Sequence, residues 1–405
     1  MLLAMAWRNL WRNTRRTIIT VMALTLGVAA VVTIHSYRES VFKQMIHEIT
    51  VGLIGHAQVH AKGYQADPEI GRVVVDPLTV EARLRTALPG AALERRVMGY
   101  GLAGVGEASS AALVLGIEPA LTPGVRPLVT ITRGRALGAH AAQEAVLGRE
   151  LAVQLDAVPG ASLVLVGQAA DGSVANDRYI VVGIGDAGSA ELNGNAVFLN
   201  LTDAQDFFAL GAGAHQIIVR LPTSDEDLST PLATVRAALD LATLEVLAWS
   251  EILPELQATM AEKRRYQRVL DLVVILIVGL GVLNAMTMST FERTREFGVL
   301  ASLGTRRRRI VGLVVIEALL QGALGCVAGV LLALGLLYAL GSLRLGGLSE
   351  QDMLGVQLPA VVDVALHPAA LVNAVVTALA TVLAGGLWPA IRAARHAPAE
   401  ATRYV

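Results

Sequence analysis

Charged residues of both signs are concentrated at 291–304, between two apolar stretches. Glu292 and Glu296 stand four residues apart, with Arg293 and Arg295 between them. Two like charges at that spacing share one face of a helix and weaken an isolated helix by roughly 0.2–0.5 kcal/mol. The residues alone leave two interpretations open: a solvated connector, or a docking helix whose acidic pair meets a basic groove of a partner while apolar side chains fill an apolar one.

Motifs for metal or nucleotide chemistry are weak in this sequence. His56 and His60 would share a helical face, but on a strand they would stand roughly 13 Å apart, too far for one ion. The single cysteine excludes a zinc cluster within one chain. The phosphate-binding pattern G-x-x-x-x-G-K-S/T is absent from these 405 residues. We therefore expect no catalytic residue, no metal and no bound cofactor in this chain.

Two carboxylates fall inside apolar stretches, where ionisable groups are costly and often functional. Asp271 lies one helical turn inside its stretch, so its carboxylate can reach the interface. Glu317 lies deeper and is the better candidate for an intramembrane hydrogen bond. Gly325 and Gly329 follow the small-x-x-x-small spacing, which predicts close helix packing.

The composition places part of the chain in lipid. Apolar residues make up 54% of it, and the net charge of −1 gives no support to nucleic-acid binding. Four stretches are long enough for the roughly 20-residue membrane helix. They are 17–37, 269–290, 310–343 and 369–391.

Arginines near the ends of these stretches set the orientation, because positive charge favours the cytoplasmic side. The basic groups lie before the first stretch, between the second and third, and after the fourth. Both termini and the 291–309 loop are therefore predicted to be cytoplasmic. Residues 38–268 would form a large domain on the opposite side.

The outer segment alternates strand-like and helix-like patterns. We predict a discontinuous α/β lobe and, inserted into it, a β-rich lobe that begins near residue 119. A helical pattern from Glu251 to Thr290 predicts one rigid helix entering the membrane. The predicted strands are 56–62, 111–117, 162–166, 178–183, 196–199, 216–221 and 244–249, and the predicted helices are 77–88, 145–155 and 225–239.

Three motifs resemble the FtsX-like and MacB-like permeases of the ABC superfamily. The first is Ala6-Trp7-Arg8-Asn9-Leu10, the second is the 292–304 loop, and the third is Trp388-Pro389-Ala390 with the following Ala393-Ala394 pair. Among these permeases, the 55–64 stretch is most similar to the lipoprotein-releasing LolC/LolE type. The resemblance implies four transmembrane helices plus an exoplasmic α+β domain with a porter-like lobe and an inserted β-rich lobe.

In this family the loop after the second span is the coupling helix that sits in a groove of the ATPase. The resemblance thus assigns that contact to Glu292, Arg293, Arg295, Glu296, Gly298, Leu300, Leu303 and Gly304.

With the resemblance, each segment of the chain receives an expected role. The segments are a cytoplasmic interfacial helix (1–16), a first span (17–37), a periplasmic domain (38–268), a second span (269–290), a coupling segment (291–309), a third span (310–343), a periplasmic loop (344–368), a fourth span (369–391) and a cytoplasmic tail (392–405). Within the domain, the porter-like lobe takes about 43–118 and 214–250, and the inserted lobe about 119–213.

In LolC-type members a hairpin of the inserted lobe captures a periplasmic lipoprotein carrier. The matching stretch lacks the proline and methionine usual there, which leaves room for a LolE-type role. The expected contact residues are Gln168, Asp171, Asn176 and Arg178.

The function implied is that of a permease subunit of a mechanotransmission ABC transporter in the bacterial inner membrane, extracting lipoproteins for outer-membrane delivery. Its expected partners are two copies of a separate ATPase that holds ATP and Mg, a second permease protomer, identical or related, and membrane lipid. MacB-like export of peptides or small molecules, and FtsX-like regulation of a cell-wall hydrolase, are the alternatives. Acyl chains would enter a cavity between the first two spans that is lined by Met22, Thr25, Val28, Leu276, Leu283 and Met286.

Overall fold

The computed structural model describes residues 2–12, 14–48, 50, 52, 54–119, 127–222, 228–303, 305–341 and 364–395. The chain forms two compact units. One comprises residues 1–43, 260–345 and 361–405, and the other comprises residues 44–259 with 346–360.

Helices and strands follow one another along the whole described chain. The helices are α1 (Leu2–Arg12), α2 (Thr14–Glu48), α3 (Pro77–Ala87), α4 (Arg149–Gln154), α5 (Ala190–Asn195), α6 (Leu201–Phe207), α7 (Ser229–Ala238), α8 (Trp249–Ile252), α9 (Pro254–Glu292), α10 (Thr294–Ser302), α11 (Arg307–Gly341) and α12 (Pro368–Arg395). The strands are β1 (Ala57–Ala61), β2 (Ala92–Val105), β3 (Ala108–Ile117), β4 (Thr130–Gly134), β5 (Glu144–Gly148), β6 (Ser162–Gln168), β7 (Val174–Asp186), β8 (Ala196–Asn200), β9 (Gln216–Arg220) and β10 (Leu244–Ala248).

The first unit is helical and carries the apolar stretches. Among the described residues, Thr17–Gln44 in α2, Arg307–Ala339 in α11 and Ala370–Leu387 in α12 are long and apolar enough to cross a membrane. The predicted second span, 269–290, lies within α9, a helix of 39 residues. Several side chains of α9 fall outside the description.

Close approach of α11 to α2 depends on two glycines. A Cβ at Gly325 would lie 2.5 Å from the Cβ of Leu24, and one at Gly329 would lie 2.8 Å from the Cβ of Val28. A larger residue at either position would therefore push the helices apart. The close packing predicted from the Gly325-x-x-x-Gly329 spacing is confirmed.

The second unit is built on a ten-stranded sheet in the order β10-β1-β9-β2-β3-β8-β5-β7-β4, with β6 pairing β2 and β7. Its long strand β2 takes part in both halves. Residues 92–96 pair with β9, and residues 97–105 pair with β3.

Helices α3 and α7 cover one face of the β10-β1-β9-β2 portion. Asp76 caps α3 by accepting a hydrogen bond from the backbone N–H of Thr79 at 3.2 Å, and Pro77 opens the helix. Successive side chains of a strand point to opposite faces of the sheet, and the positions that face these two helices are apolar. Its buried residues include Val59, Val80, Leu84, Leu93, Ile217, Val219, Val235 and Val246.

A second apolar core begins at Val97, halfway along β2, and continues through Phe208. The division between the two cores thus falls inside β2, and β3 belongs to the second core. The lobe boundary predicted near residue 118 therefore lies after β3, one strand beyond the division between the two cores. The sequence alone does not reveal this division, because β2 is one unbroken strand that contributes to both cores.

Two predicted helices begin elsewhere. The prediction of a helix over 145–155 is wrong in its first half, where β5 pairs with β7 and β8 on its two sides. A short apolar run is compatible with a strand buried on both faces, which periodicity cannot distinguish from a helix. The predicted start at Glu251 is also wrong, because α8 ends at Ile252 and α9 begins at Pro254. Proline has no backbone N–H to donate and opens a new helix.

The sheet face opposite α3 and α7 buries charged and polar groups. The Glu94 carboxylate contacts Arg96 at 2.9 Å and Arg220 at 2.7 Å. Burial raises the pKa of Glu94, but the two guanidinium groups outweigh burial and hold that pKa below its usual value. Nearby, His60 is fully buried, with its Nε2 2.8 Å from Gln58 Oε1.

His60 lies in an aromatic stack that favours its neutral form. Tyr64 stands edge-on to His60 and is stacked on His215, with ring centroids 5.3 Å apart in both pairs. Burial lowers the pKa of His60 from 6.5 to about 4, and burial also lowers the pKa of His215. An unfolded chain takes up a proton on His60 between these pH values, whereas the folded chain does not. Stability should therefore fall as the pH drops from 6.5 towards 4.

We predict that the second unit loses about 2 kcal/mol of stability from His60 between pH 7.5 and pH 5. His60→Gln keeps a donor towards Gln58 but cannot titrate, so its stability should depend less on pH, with a residual slope from His215. Denaturant unfolding followed by Trp249 fluorescence, with the other three tryptophans replaced by phenylalanine, measures this. Equal pH slopes for the two proteins would contradict the role given to His60.

Candidate functional site

The charged loop of the sequence folds into a short helix between two long ones. The second long helix, α11, begins at Arg307. Between α9 and α11, α10 presents one face outwards and one face into the helical unit.

The outward face of α10 and the turn before it mixes charge with apolar surface. Glu292 and Arg295 are exposed, and Val299 and Leu303 have exposed fractions of 47% and 78%. Positions 292, 295, 299 and 303 follow helical spacing and so share one side. Exposed apolar side chains beside charges are typical of a protein-docking surface.

The inward face of α10 is held by a buried ion pair. Arg293 is 7% exposed, and its guanidinium donates to Glu317 Oε2 at 2.8 Å. Glu317 is 2% exposed and lies in the interior of α11. The same guanidinium lies over the ring of Phe297, 5.2 Å from its centroid. Phe297 itself packs in a core with Leu24, Ile310, Val314, Ala318 and Val382.

Glu296 extends this pair to α1. One of its carboxylate oxygens accepts from Arg293 at 3.0 Å, and the other accepts from Arg12 at the end of α1. Four side chains thus form a continuous chain in the order Arg12, Glu296, Arg293, Glu317. Three helices, α1, α10 and α11, are linked by it.

The structure divides the residues that the resemblance assigned to ATPase contact. Glu292, Arg295 and Leu303 lie on the outward face. Arg293 and Glu296 instead make contacts inside the unit, although Glu296 remains partly exposed. Gly298 and Leu300 are described here only by their place in α10, and Gly304 lies outside the described residues.

Sequence reasoning missed two members of the inner face. Phe297 was not singled out, although an aromatic residue one turn after an arginine is a suitable partner for its guanidinium. Glu317 was singled out as a bundle hydrogen-bonding residue, but its partner was not identified. The cost of a carboxylate inside a span was the signal available, and the arginines of the adjoining loop, which the resemblance assigned to the ATPase, were the possible counter-ions.

A groove of about 250 Å³ lies among α2, α9 and α12. His35 Nε2 and Asp271 Oδ2 are 2.9 Å apart at its polar part. The Thr377 and Thr381 hydroxyls donate to carbonyls one turn earlier in α12, so these donors are satisfied within the helix. The lining includes Gly27, Val28, Val31, Val274, Ala370, Asn373, Ala374 and Ala378.

Of the six residues predicted to line a cavity, Val28 lines this groove. Met22 and Leu276 are more than half exposed on the surface of their helices. The carbonyl of Thr25 faces Gly329, and Leu283 is partly buried. The side chain of Met286 lies outside the described residues. The groove therefore uses α12, which the sequence interpretation did not include.

The predicted carrier-contact stretch is a β-hairpin formed by β6 and β7. In its turn, Asp171 accepts from the backbone and hydroxyl of Ser173 at 2.9 and 2.7 Å, and these hydrogen bonds lower the pKa of Asp171. Gln168, Asn176 and Arg178 are exposed on the strands. The hairpin thus presents a polar turn at the end of two strands, of which β6 also pairs with β2.

The two histidines considered for metal binding have separate environments. His56 Nδ1 accepts from the backbone N–H of Leu221 at 3.2 Å, whereas His60 contacts Gln58. Over the described part of the chain, no three His, Cys, Asp or Glu residues are grouped as metal ligands.

We predict that Glu317→Gln destabilises the helical unit by about 3 kcal/mol, because it removes the buried counter-ion of Arg293 and leaves the partly exposed Glu296 as the carboxylate beside it. The double variant Arg293→Met/Glu317→Met removes both charges and should recover most of that loss. Thermal unfolding, followed by reaction of a maleimide dye with the single buried cysteine Cys326, reports on this unit. Arg295→Gln, an exposed arginine of the same helix, is the control. A double variant no more stable than Glu317→Gln would show that the charges are not coupled.

Family models match both parts of the chain. Residues 17–233 match the MacB-like periplasmic core domain, and residues 269–398 match the FtsX-like permease C-terminal model. The periplasmic region of MacB from Actinobacillus actinomycetemcomitans aligns over 53% of this chain and 97% of that one, with a TM-score of 0.35 and 12% identity.

Curated relatives are larger proteins. The pyoverdine export ATP-binding/permease protein PvdT of Pseudomonas fluorescens is 25% identical over 98% of this chain and 58% of its own length. The macrolide export ATP-binding/permease protein MacB of Hyphomonas neptunium is 34% identical over 31% of this chain and 17% of its own length. The chain thus covers less than two thirds of these relatives.

The MacB-like model alone spans more than half of the chain, and the FtsX-like model covers the segment that holds α10 and its buried ion pair. The predicted fold class, membrane helices plus a periplasmic α+β domain, is confirmed. This chain belongs to the FtsX-like and MacB-like permease family of ABC transporters.

Proposed function

We propose that this permease converts ATP-driven movement of a partner ATPase into movement of its periplasmic domain. The two-sided construction of α10 is the observation that supports this. Its outward face offers Val299 and Leu303 for docking, and its inward face is fixed to α11 by Arg293 and Glu317. A displacement of α10 would therefore be passed to the membrane helices.

The long helix α9 provides the onward connection. It runs without interruption from Pro254 to Glu292, about 58 Å at the helical rise per residue. A continuous helix transmits displacement, which a flexible linker would absorb. In this proposal α9 carries the movement from the cytoplasmic side to the periplasmic domain.

The ATPase and its nucleotide belong to the proposed assembly. The 405 residues contain no phosphate-binding loop, so ATP and Mg would be held by two copies of an ATPase component. A second permease protomer, identical or related, would complete a symmetric pair. In the proposed orientation, which the arginines at the membrane ends support, both termini are cytoplasmic and the large domain lies in the periplasm, as in an inner-membrane protein.

For the cargo, we propose export from the periplasmic side. The relative aligned over nearly the whole chain is named for pyoverdine export, and others are named for macrolide export. An export role needs no substrate path through the bundle itself. It requires a periplasmic domain that moves, together with an adaptor and an outer-membrane duct as partners.

The groove favours a second cargo, an acylated lipoprotein taken from the inner membrane. It is mainly apolar, it lies among three membrane helices, and His35 and Asp271 place polar groups at one part of it. In the proposed orientation these two residues lie at the periplasmic ends of their spans. The β6–β7 hairpin, with Gln168, Asp171, Asn176 and Arg178, would then meet a periplasmic carrier.

One reconstitution distinguishes the cargoes. The permease is purified with its co-eluting ATPase and placed in liposomes, where ATP-dependent release of a triacylated lipoprotein to a soluble carrier is measured. In parallel, macrolide sensitivity is measured in a strain that lacks the gene and in the same strain after the gene is returned. Restored resistance without lipoprotein release supports export, and release supports the second cargo. Normal ATP turnover with neither result contradicts both cargoes and leads next to a cell-wall hydrolase assay.

We predict that Val299→Glu/Leu303→Glu weakens binding of the ATPase by at least roughly tenfold, because it places charge in an apolar docking contact. ATP-coupled transport should be lost, while thermal unfolding of the permease stays unchanged. Titration of the purified ATPase against the immobilised permease measures the affinity. Leu241→Glu, which alters a half-exposed leucine of the periplasmic unit, is the matched control. Unchanged affinity in the double variant would show that the ATPase docks elsewhere.

A further inference from the structure

Helix α1 has two contrasting faces. Ala6 and Leu10 are buried, with exposed fractions of 0% and 1%. On the other side Leu3, Trp7 and Trp11 are exposed at spacings of four residues. The two indole rings meet edge to face, with centroids 5.8 Å apart and planes at 71°. Exposed tryptophans on an amphipathic helix are typical of a helix that lies in a membrane interface.

The first part of the chain is also uniformly basic. No aspartate or glutamate precedes Glu39, whereas arginines stand at 8, 12, 15 and 16. Arg8, Arg12 and Arg15 are all exposed. Arginines at 8 and 12 stand one turn apart, and two like charges at that spacing repel each other in water. An anionic surface attracts each arginine and so offsets their mutual repulsion.

The position of α1 relative to the first span agrees with a lipid surface. The Thr17 hydroxyl donates to the carbonyl of Leu10 at 2.7 Å, which fixes α1 to the start of α2. In the next turns of α2, Ile18, Ile19 and Met22 are each more than half exposed. Exposed apolar side chains therefore continue from α1 into the first turns of the predicted first span.

We propose that α1 is a binding surface for acidic phospholipids of the cytoplasmic leaflet. Arg8 and Arg15 contact the phosphate groups, and the rings of Trp7 and Trp11 lie at the boundary between headgroups and acyl chains. Arg12 is already engaged by Glu296 of α10, so it contributes less to the lipid contact. The side of the membrane rests on the orientation given under the proposed function.

The charge of α1 favours lipid over protein as the partner of its exposed face. A second copy of α1 would bring the same arginines and no carboxylate, so a self-contact would be repulsive. The outward face of α10 already provides the apolar docking surface for an ATPase. Acidic headgroups supply both the negative charge and an apolar layer beneath it.

The test uses the full chain in lipid nanodiscs, with Trp249 and Trp388 replaced by phenylalanine so that only the α1 tryptophans fluoresce. Phosphatidylcholine discs carry bromine either just below the headgroup or near the methyl end of the chain. Phosphatidylglycerol is then titrated into them. We expect strong quenching by the shallow bromine, weak quenching by the deep one, and an increase in shallow quenching as phosphatidylglycerol rises.

The charge contribution is measured with Arg8→Gln/Arg15→Gln. At about 1 kcal/mol for each arginine, the affinity of α1 for phosphatidylglycerol should fall roughly thirtyfold, so most of the increase in shallow quenching should be lost across the titration. Arg83→Gln, an exposed arginine of α3, should leave the titration unchanged. Maleimide labelling of Cys326 on heating shows whether the variants are folded.

Three outcomes would overturn the proposal. Accessibility of the α1 tryptophans to aqueous acrylamide without bromine quenching would place α1 in water. Shielding from both quenchers would place a protein over it. A titration that the double variant does not change would remove the role of charge. The readout needs neither ATPase nor cargo, so its failure is distinct from a failure of the transport experiment.

Discussion

The buried ion pair between Arg293 and Glu317 is the constraint that organises the helical unit. A guanidinium cannot remain in an apolar bundle without a counter-ion, and a carboxylate inside a membrane helix is equally costly when alone. Their 2.8 Å contact satisfies both and fixes the rotation of α10 about its axis. Once Arg293 points inwards, Phe297 follows one turn later into the core. Positions 295, 299 and 303 are left on the outside.

A comparable arrangement joins the two cores of the periplasmic unit. Strand β2 extends through both cores, and at its first half Glu94 is held between Arg96 and Arg220. These groups are buried on the sheet face opposite α3 and α7, where they need one another. Loss of one partner would leave a charge in the interior, so β2 and β9 are held in one register. The polar groups therefore specify how the strands pair, while the apolar clusters supply most of the driving force.

In the helical unit, the chain of charges Arg12, Glu296, Arg293 and Glu317 connects surfaces in different surroundings. Arg12 ends a helix with exposed tryptophans, Glu296 belongs to the helix that exposes Val299, and Glu317 lies within the membrane helices. A displacement of any one of these helices would therefore be transmitted to the others through the salt bridges between them. The groove among α2, α9 and α12 lies in the same unit. Residues of α2, α9 and α12 line it, so movement of these helices would alter its width.

The sequence by itself determined the class of the protein and most of its elements. Apolar length gave the membrane helices and alternation gave most strands of the sheet, because these signals are local. The sequence prediction misassigned strand β5 and the break before Pro254. A short buried apolar run becomes a strand or a helix according to the elements that pack beside it, and the start of a helix likewise depends on its surroundings. Only the tertiary structure decided which charges of the 291–304 loop face inwards. Arg293 and Arg295 are equivalent by type and spacing, and they differ only because Glu317, 24 residues away from Arg293, lies buried beside one of them.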